Sequence, residues 1–310
     1  MKETQEFKRY PKIFGWDKDE VKDIFLDDED VIVIEEKIDG ANFRFMVKDG
    51  KLVFGSRRTV LDEDASNRKN YERMIEYIKS KFDFDLWEME GYIFYGEAMI
   101  KHTIMYDYDK LPPFIGFDIY TPKGWLTHKT KEIMFTSLGI HTVPILQITK
   151  AKLIKEVLQN ELLKKKKNIL DDLVPQSKLY KGKAEGLVFK NYSKNIWMKY
   201  VTTIFKKQNK DTFGKQKAEC KNDNELFVVK YANNYRIDNV IFSLLNEGHK
   251  LEMQLMKYLP TRLLHDILEE DAKEIFRQNW VLDLHKIRKM ITKRCQIVLK
   301  DIILRNNLGE

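Results

Sequence analysis

Val31-Ile32-Val33-Ile34-Glu35-Glu36-Lys37-Ile38-Asp39-Gly40-Ala41-Asn42-Phe43 reads as a short buried strand that ends in charge and turns at a glycine. Four β-branched residues in succession favour a pleated, half-buried surface. The lysine that closes the strand is followed by an acid, a glycine and an amide. A lysine beside a tight turn can be desolvated and set among other cations, which lowers its pKa from about 10.4 and frees the amine as a nucleophile. Lys37 is the candidate nucleophile. Taken alone, Lys-x-Asp-Gly fits a hairpin turn with a solvated lysine equally well.

Outward from this stretch, short β-branched and aromatic runs predict further strands at Phe43 to Val47, Leu52 to Phe54, Tyr92 to Tyr95, Phe114 to Tyr120, Leu187 to Lys190 and Ile196 to Val201. Asn67 to Lys81 and Ala151 to Lys167 read as helices. The texture changes after about Lys217. Ile237, Val240, Ile241, Leu244 and Leu245 recur at helical spacing, as do Leu284, Ile287, Ile291, Cys295, Val298, Leu299 and Ile302, and Pro260 separates two further helical segments. The expected fold class is α+β: a domain of antiparallel sheets over residues 1–217, then a small all-helical domain over 218–310, joined through the polar stretch Asp211 to Asn224.

The 310 residues are 43% hydrophobic, enough for a sizeable core. No run approaches the roughly 18 to 20 apolar residues of a membrane span, and residues 1–6 lack the apolar centre of a signal peptide, so no membrane partner and a cytoplasmic location are expected. Cys220 and Cys295 belong to no Cys-x-x-Cys pair, and none of the six histidines has His-x-x-x-His spacing. The net charge of +7 is unevenly spread: 22 Lys and Arg against 28 Asp and Glu over residues 1–149, 18 against 6 over 150–217, and 15 against 14 over 218–310. A concentrated positive field suits nucleic acid or nucleotide phosphates, although Lys164 to Lys167 equally suits a solvated face.

Five further motifs follow Lys37 in order. Phe54-Gly55-Ser56-Arg57-Arg58 ends a strand in paired arginines suited to phosphate or ribose oxygens; Phe94-Tyr95-Gly96-Glu97 sets a carboxylate at a strand end. Phe117-Asp118-Ile119 places an aromatic in a strand, and Glu185-Gly186-Leu187-Val188-Phe189-Lys190 brackets an apolar strand with an acid and a base. Trp197-Met198-Lys199-Tyr200 closes the series with a lysine. Glu185 and Lys190 are five apart, so on a regular strand they point to opposite faces and one must reach a shared site from the strand's end.

The set, over Lys37 to Lys199, resembles motifs I, III, IIIa, IV and V of the covalent nucleotidyltransferases (DNA ligases, RNA ligases and capping enzymes), and Glu-Lys-Ile-Asp-Gly-Ala-Asn-Phe is similar to the RNA ligase version. The resemblance implies an ATP-grasp-like nucleotidyltransferase domain and an ATP-dependent RNA ligase that seals RNA ends, 5′-phosphate to 3′-hydroxyl, with Mg2+. It implies that Lys37 attacks the α-phosphate of ATP, that Glu97 holds the ribose, and that Phe117 stacks on adenine. Arg57 and Asn42 would contact sugar or phosphates, Glu185 would act near metal or water, Lys190 and Lys199 would neutralise the α-phosphate, and Glu35 and Glu36 would flank the nucleotide. Those cations would also help to keep Lys37 unprotonated. Two features depart from the pattern. Trp197 stands where the family's last motif has its first lysine, leaving Lys206 or Lys207 as possible substitutes, and there is no C-terminal barrel motif, which points to RNA ligases of the phage and kinetoplastid-editing type. A capping-type guanylyltransferase and a non-catalytic RNA-binding protein remain the alternatives.

Overall fold

The computed structural model describes residues 6–202, 220 and 222–308, apart from 17, 66–67, 83, 101–103, 105, 164–170 and 172, and of 159–163, 235 and 305–308 the backbone only. The chain divides into two compact units, residues 1–205 and 206–310. The expected boundary at 217, and with it Lys206 and Lys207, lies outside the described residues, as does the run Lys164 to Lys167.

The first unit holds two five-stranded sheets. In one, the order is β1 (Phe14–Gly15), β10 (Ile196–Val201), β9 (Gly186–Asn191), β2 (Val31–Lys37) and β8 (Ile145–Lys150). In the other it is β4 (Lys51–Ser56), β3 (Ala41–Lys48), β5 (Ile93–Ala98), β6 (Phe114–Thr121) and β7 (Gly124–Trp125). Every pairing is antiparallel except β1 with β10. The α+β architecture on antiparallel sheet is therefore present, and its described helices include α1 (Glu72–Lys79), α2 (His128–Ser137) and α3 (Ala151–Leu163). The strand opening the molecule's second sheet starts just beyond Gly40, where a Cβ would stand 2.5 Å from the Ala98 carbonyl oxygen and 2.9 Å from Glu97 Cγ. Glycine is required there because the turn crosses close to β5.

Register fixes which side chains face which way. Lys37 pairs with Gly186, Glu35 with Val188 and Val33 with Lys190, while Lys190 pairs with Trp197 and Val188 with Lys199. Paired residues share a face, so Glu35, Lys37, Lys190, Trp197 and Lys199 lie on one side of the sheet. The other side carries Ile32, Ile34, Leu187, Phe189, Met198 and Tyr200, buried against Val21, Ile24, Ala151 and Ile154. In the second sheet Asn42 pairs with Glu97, Arg44 with Tyr95 and Tyr95 with Asp118. Its opposite side is an aromatic core in which Phe43, Phe45, Phe54, Phe82, Phe94 and Phe114 stack or meet edge to face.

The two charged faces meet through four buried ions. Lys190 Nζ lies 2.6 Å from Glu35 Oε2 and 2.7 Å from Asp118 Oδ2; Lys131 Nζ, from α2, lies 2.5 Å from Glu35 Oε1 and 3.6 Å from Asp118 Oδ1. All four side chains are at most 2% exposed. Two acids and two bases cancel, and Tyr10 and Tyr192 complete the shell by donating to Asp118 at 2.5 and 2.6 Å. Burial alone would raise the Asp118 carboxyl, but Lys190 and Lys131 hold it below its usual value.

The second unit is all-helical among its described residues: α4 (Asp223–Tyr231), α5 (Asn234–Asn246), α6 (Leu259–Arg277) and α7 (Leu284–Leu308). Asn222 and Asn233 cap α4 and α5 by accepting from the amides of Glu225 and Arg236. Pro260 stands where a short 3-10 helix (Met253–Lys257) gives way to α6, in whose first turn its missing N–H is not needed. Phe227, Ile237, Ile241, Leu244, Leu263, Ile267, Ile287, Ile291 and Cys295 form the core.

Removing one member of a buried ion cluster strands the others. Lys131→Met should cost about 3–5 kcal/mol, read as a lower denaturant midpoint at unchanged m-value; a loss under about 1 kcal/mol would mean that Lys131 does not join the sheets.

Candidate active site

Lys37 ends β2, and its Nζ lies 2.8 Å from Glu185 Oε2. Glu185 stands one residue before β9, next to the Gly186 that pairs with Lys37. It thus reaches the site from the strand's end, whereas Lys190 rises from the sheet face. A Cβ on Gly186 would strike the Tyr200 carbonyl oxygen, which is why the acid is followed by glycine. The Lys37 side chain is 25% exposed and that of Glu185 5%. Burial raises the Glu185 carboxyl, against the pull of Lys37.

Glu97, on β5, has an acute electrostatic problem. Burial pushes its carboxyl up to about 8; Lys37 and Arg57 pull it down, while Asp39 and Glu185 push it further up. It accepts no hydrogen bond among the described residues. Beside it in register is Asn42, whose Oδ1 is buried without a partner. Buried polar atoms without partners are uncommon and call for a ligand or water. The unpartnered Asn42 oxygen beside the half-buried Glu97 carboxylate fits a ligand that brings hydroxyl or amino donors, as a ribose does.

Arg57 is exposed directly after β4, close enough for its charge to act on Glu97. Lys199 lies on the same sheet face as Lys37, and its charge lowers Glu185. Lys37, Asn42, Arg57, Glu97, Glu185 and Lys199 are therefore brought together. Phe117 is half-buried, its ring centroid 4.7 Å from that of Tyr10 and 5.4 Å from Lys190 Nζ. Tyr95 pairs with Asp118 and Gly96 with Gly116, so Phe117 is the extra residue of a β-bulge. Bulges re-aim side chains and leave a backbone group unpaired. Here the carbonyl of Phe117 accepts from both Lys131 and Lys190.

Three expectations are corrected. Lys190 does not offer its charge to a phosphate: its three protons are taken by Glu35, Asp118 and the Phe117 carbonyl. The Glu35 carboxylate is spent on Lys131 and Lys190. That of Glu36 points to the opposite face, where it accepts from Ser177 Oγ at 2.5 Å and Lys178 N at 3.0 Å. Neither side chain flanks the site. Nor is Lys37 freed by neighbouring cations, because its close partner is a carboxylate, which favours the ammonium form.

Sequence reasoning passed over Asp118 and Lys131. An acid inside the apolar strand Phe114 to Tyr120 was the available signal, since a buried carboxylate demands a cation. Asp39 also has a role: its Oδ2 accepts from the amide of Ile104 at 2.6 Å, fixing the chain beyond the turn. Trp197 is 6% exposed and packs edge to face on Trp125, centroids 5.1 Å apart. Among the described residues no group of three or more His, Cys, Asp or Glu could hold a metal by itself. A divalent ion arriving with nucleotide phosphates needs only one or two carboxylates, and Glu185 fits that role.

The RNA ligase family model matches residues 30–201, over half of the chain. The chain belongs to the RNA ligase family. A curated relative, the Protein Early 65 kDa of Autographa californica nuclear polyhedrosis virus, is 33% identical over 95 residues, which is 29% of this chain and 16% of the relative. This member of the RNA ligase family thus spans about a sixth of that relative's length. Among solved structures it is similar to the Naegleria gruberi RNA ligase with PPi, at 19% identity and TM-score 0.44, covering 68% of this chain and 63% of that one. A variant of the same ligase with AMP and Mn gives 19% and 0.45, covering 66% and 58%.

The raised carboxyl of Glu97 has a sign. The unfolded chain releases this proton near 4.5 and the folded chain near 8, so the folded state holds more protons between them and loses stability as pH rises through that window. Glu97→Gln removes the penalty. Relative to the parent it should gain stability progressively from pH 5 to 8, reaching about 4 kcal/mol; parallel pH profiles in thermal unfolding would show that Glu97 is not desolvated.

Proposed function

We propose that this chain is an ATP-dependent RNA ligase that joins 5′-phosphate to 3′-hydroxyl ends through a lysyl-AMP intermediate. The observation that carries the reading is the meeting of Lys37, Glu185, Glu97 and Asn42 at one spot, within the segment matched by the RNA ligase family. In the first step the Lys37 amine attacks the α-phosphorus of ATP, a nitrogen–phosphorus bond forms, and the bond to the bridging oxygen breaks to release pyrophosphate. The amine must shed its proton, and Glu185, at 2.8 Å and raised by burial, is the neighbouring acceptor. Glu97 and Asn42 hold the ribose hydroxyls. Lys199 and Arg57 oppose the charge that builds on the phosphate oxygens. Glu185 would be the protein contact for a magnesium ion bound with the phosphates, which would offset their charge. AMP is then passed to the 5′-phosphate of RNA, and the 3′-hydroxyl of the partner strand displaces it.

Incubation with α-labelled ATP or GTP and magnesium, followed by denaturing electrophoresis, tests this directly. Label is expected from ATP alone; label from GTP alone would indicate capping chemistry, and none with either a binding protein. Lys37→Ala should abolish the covalent label yet seal a synthetic adenylylated RNA, because the last step uses the RNA hydroxyl as nucleophile. A folded Lys37→Ala protein that still takes up AMP would overturn the assignment.

Lys199→Ala should lower adenylylation at least about 100-fold, or about 2.7 kcal/mol of transition-state stabilisation. Near-parental labelling would remove Lys199 from the site.

A further inference from the structure

The net charge of residues 218–310 is close to zero, but the charges are segregated. Helix α7, residues 284–308, carries seven Lys and Arg against Asp301 alone, while the remainder of 218–310 carries eight against thirteen. Within α7 the cations are ordered too. Lys286, Lys289, Lys293 and Lys300 follow one another at intervals of three, four and seven residues, which places them within about 60° of arc and about 21 Å of axis. All four are exposed. Ile287, Ile291, Cys295, Val298 and Leu299 occupy the opposite side and are buried in the helical core. Lys286 Nζ has Asp283 Oδ2 at 3.4 Å; no carboxylate pairs with Lys289, Lys293 or Lys300 among the described residues.

We infer that this stripe is a binding surface for the sugar–phosphate backbone of RNA. The inference rests on the ligase reading for the identity of the ligand and goes beyond it in assigning the surface. A row of ammonium groups in a single-sign field is what a polyanion requires, and lysine serves phosphate as a point charge. An acidic protein partner fits less well, because protein interfaces are depleted in lysine and anchored by Trp, Tyr and Arg, and the row contains none of the three. The apolar residue within the row, Ile297, is 62% exposed, and Leu304, one turn past its end, 61%.

The test compares the full-length chain with a K286Q/K289Q/K293Q/K300Q variant. The probe is fluorescently labelled single-stranded RNA with a 5′-phosphate, and anisotropy is followed from about 50 to about 200 mM salt. Each lost phosphate contact lowers the slope of log affinity against log salt by about 0.7, so the quadruple variant should lose about 3 units of slope and at least about tenfold in affinity. Self-labelling by ATP should be unchanged. A control in which the exposed Lys51, Lys79, Lys123 and Lys129 become Gln removes the same total charge and should leave most of the slope in place. An unchanged slope in the α7 variant, including the case of an acidic protein as the true occupant, would overturn the inference, as would equal losses in the control. Absence of ATP label in the parent would defeat the ligase reading while the RNA titration still judged the stripe. The four side chains are exposed; if helicity nonetheless falls, Lys289→Gln and Lys293→Gln singly, each expected to lower the slope by about 0.7, carry the test.

Discussion

The buried cluster of Glu35, Lys131, Asp118 and Lys190 is the constraint on which the first unit depends. Each sheet places charge on the face it turns toward the other, and such charge could not be buried unless opposite charge met it. The cluster is neutral, and the ammonium of Lys190 is saturated by Glu35, Asp118 and the carbonyl freed at the Phe117 bulge. It also sets positions around the candidate site. Glu35 lies two residues before Lys37 on β2, and Asp118 follows Phe117 on β6, so the same ions that join the sheets set the separation between Lys37 and the Phe117 ring.

Around Lys37 the balance runs the other way. Glu97 and Glu185 are acids whose carboxyls burial has raised, and the buried Asn42 Oδ1 lacks a partner that the fold could have supplied. Such a site costs stability in the absence of ligand and recovers it when donors and phosphate charge arrive. Strain of this kind is what a pre-organised site stores. The contrast with the cluster, where every charge is met, separates the residues that hold the fold from those turned toward a substrate.

Much of this was legible in the sequence, and the exceptions have physical causes. The strands around the motifs and the long helices of the second unit announce themselves because their apolar residues recur at period 2 or 3.6. Helix α2 does not, for its pattern is inverted: Lys131 is fully buried and Ile133 is 70% exposed. Strand β8 escapes notice as an edge strand with little burial. Lys37, Glu97 and Glu185 could be named from their motifs, but the same spacing could not say that Lys190 and Glu35 neutralise each other. That depends on pairing between residues 155 positions apart and on a lysine from a helix the periodicity hides.

The departure at Trp197 follows from the same electrostatics. Its position pairs with Lys190 in register, beside the neutral cluster and among Tyr10, Trp125 and Tyr192. A third lysine there would be buried against two others with no acid to meet it, at a cost of several kcal/mol. The aromatic ring avoids that cost and packs edge to face with its neighbours, an arrangement favoured by their quadrupoles. The consequence is a site with fewer cations on the face of Lys37, so that, on the ligase mechanism proposed above, more of the charge opposing a phosphate would fall to Lys199 and Arg57.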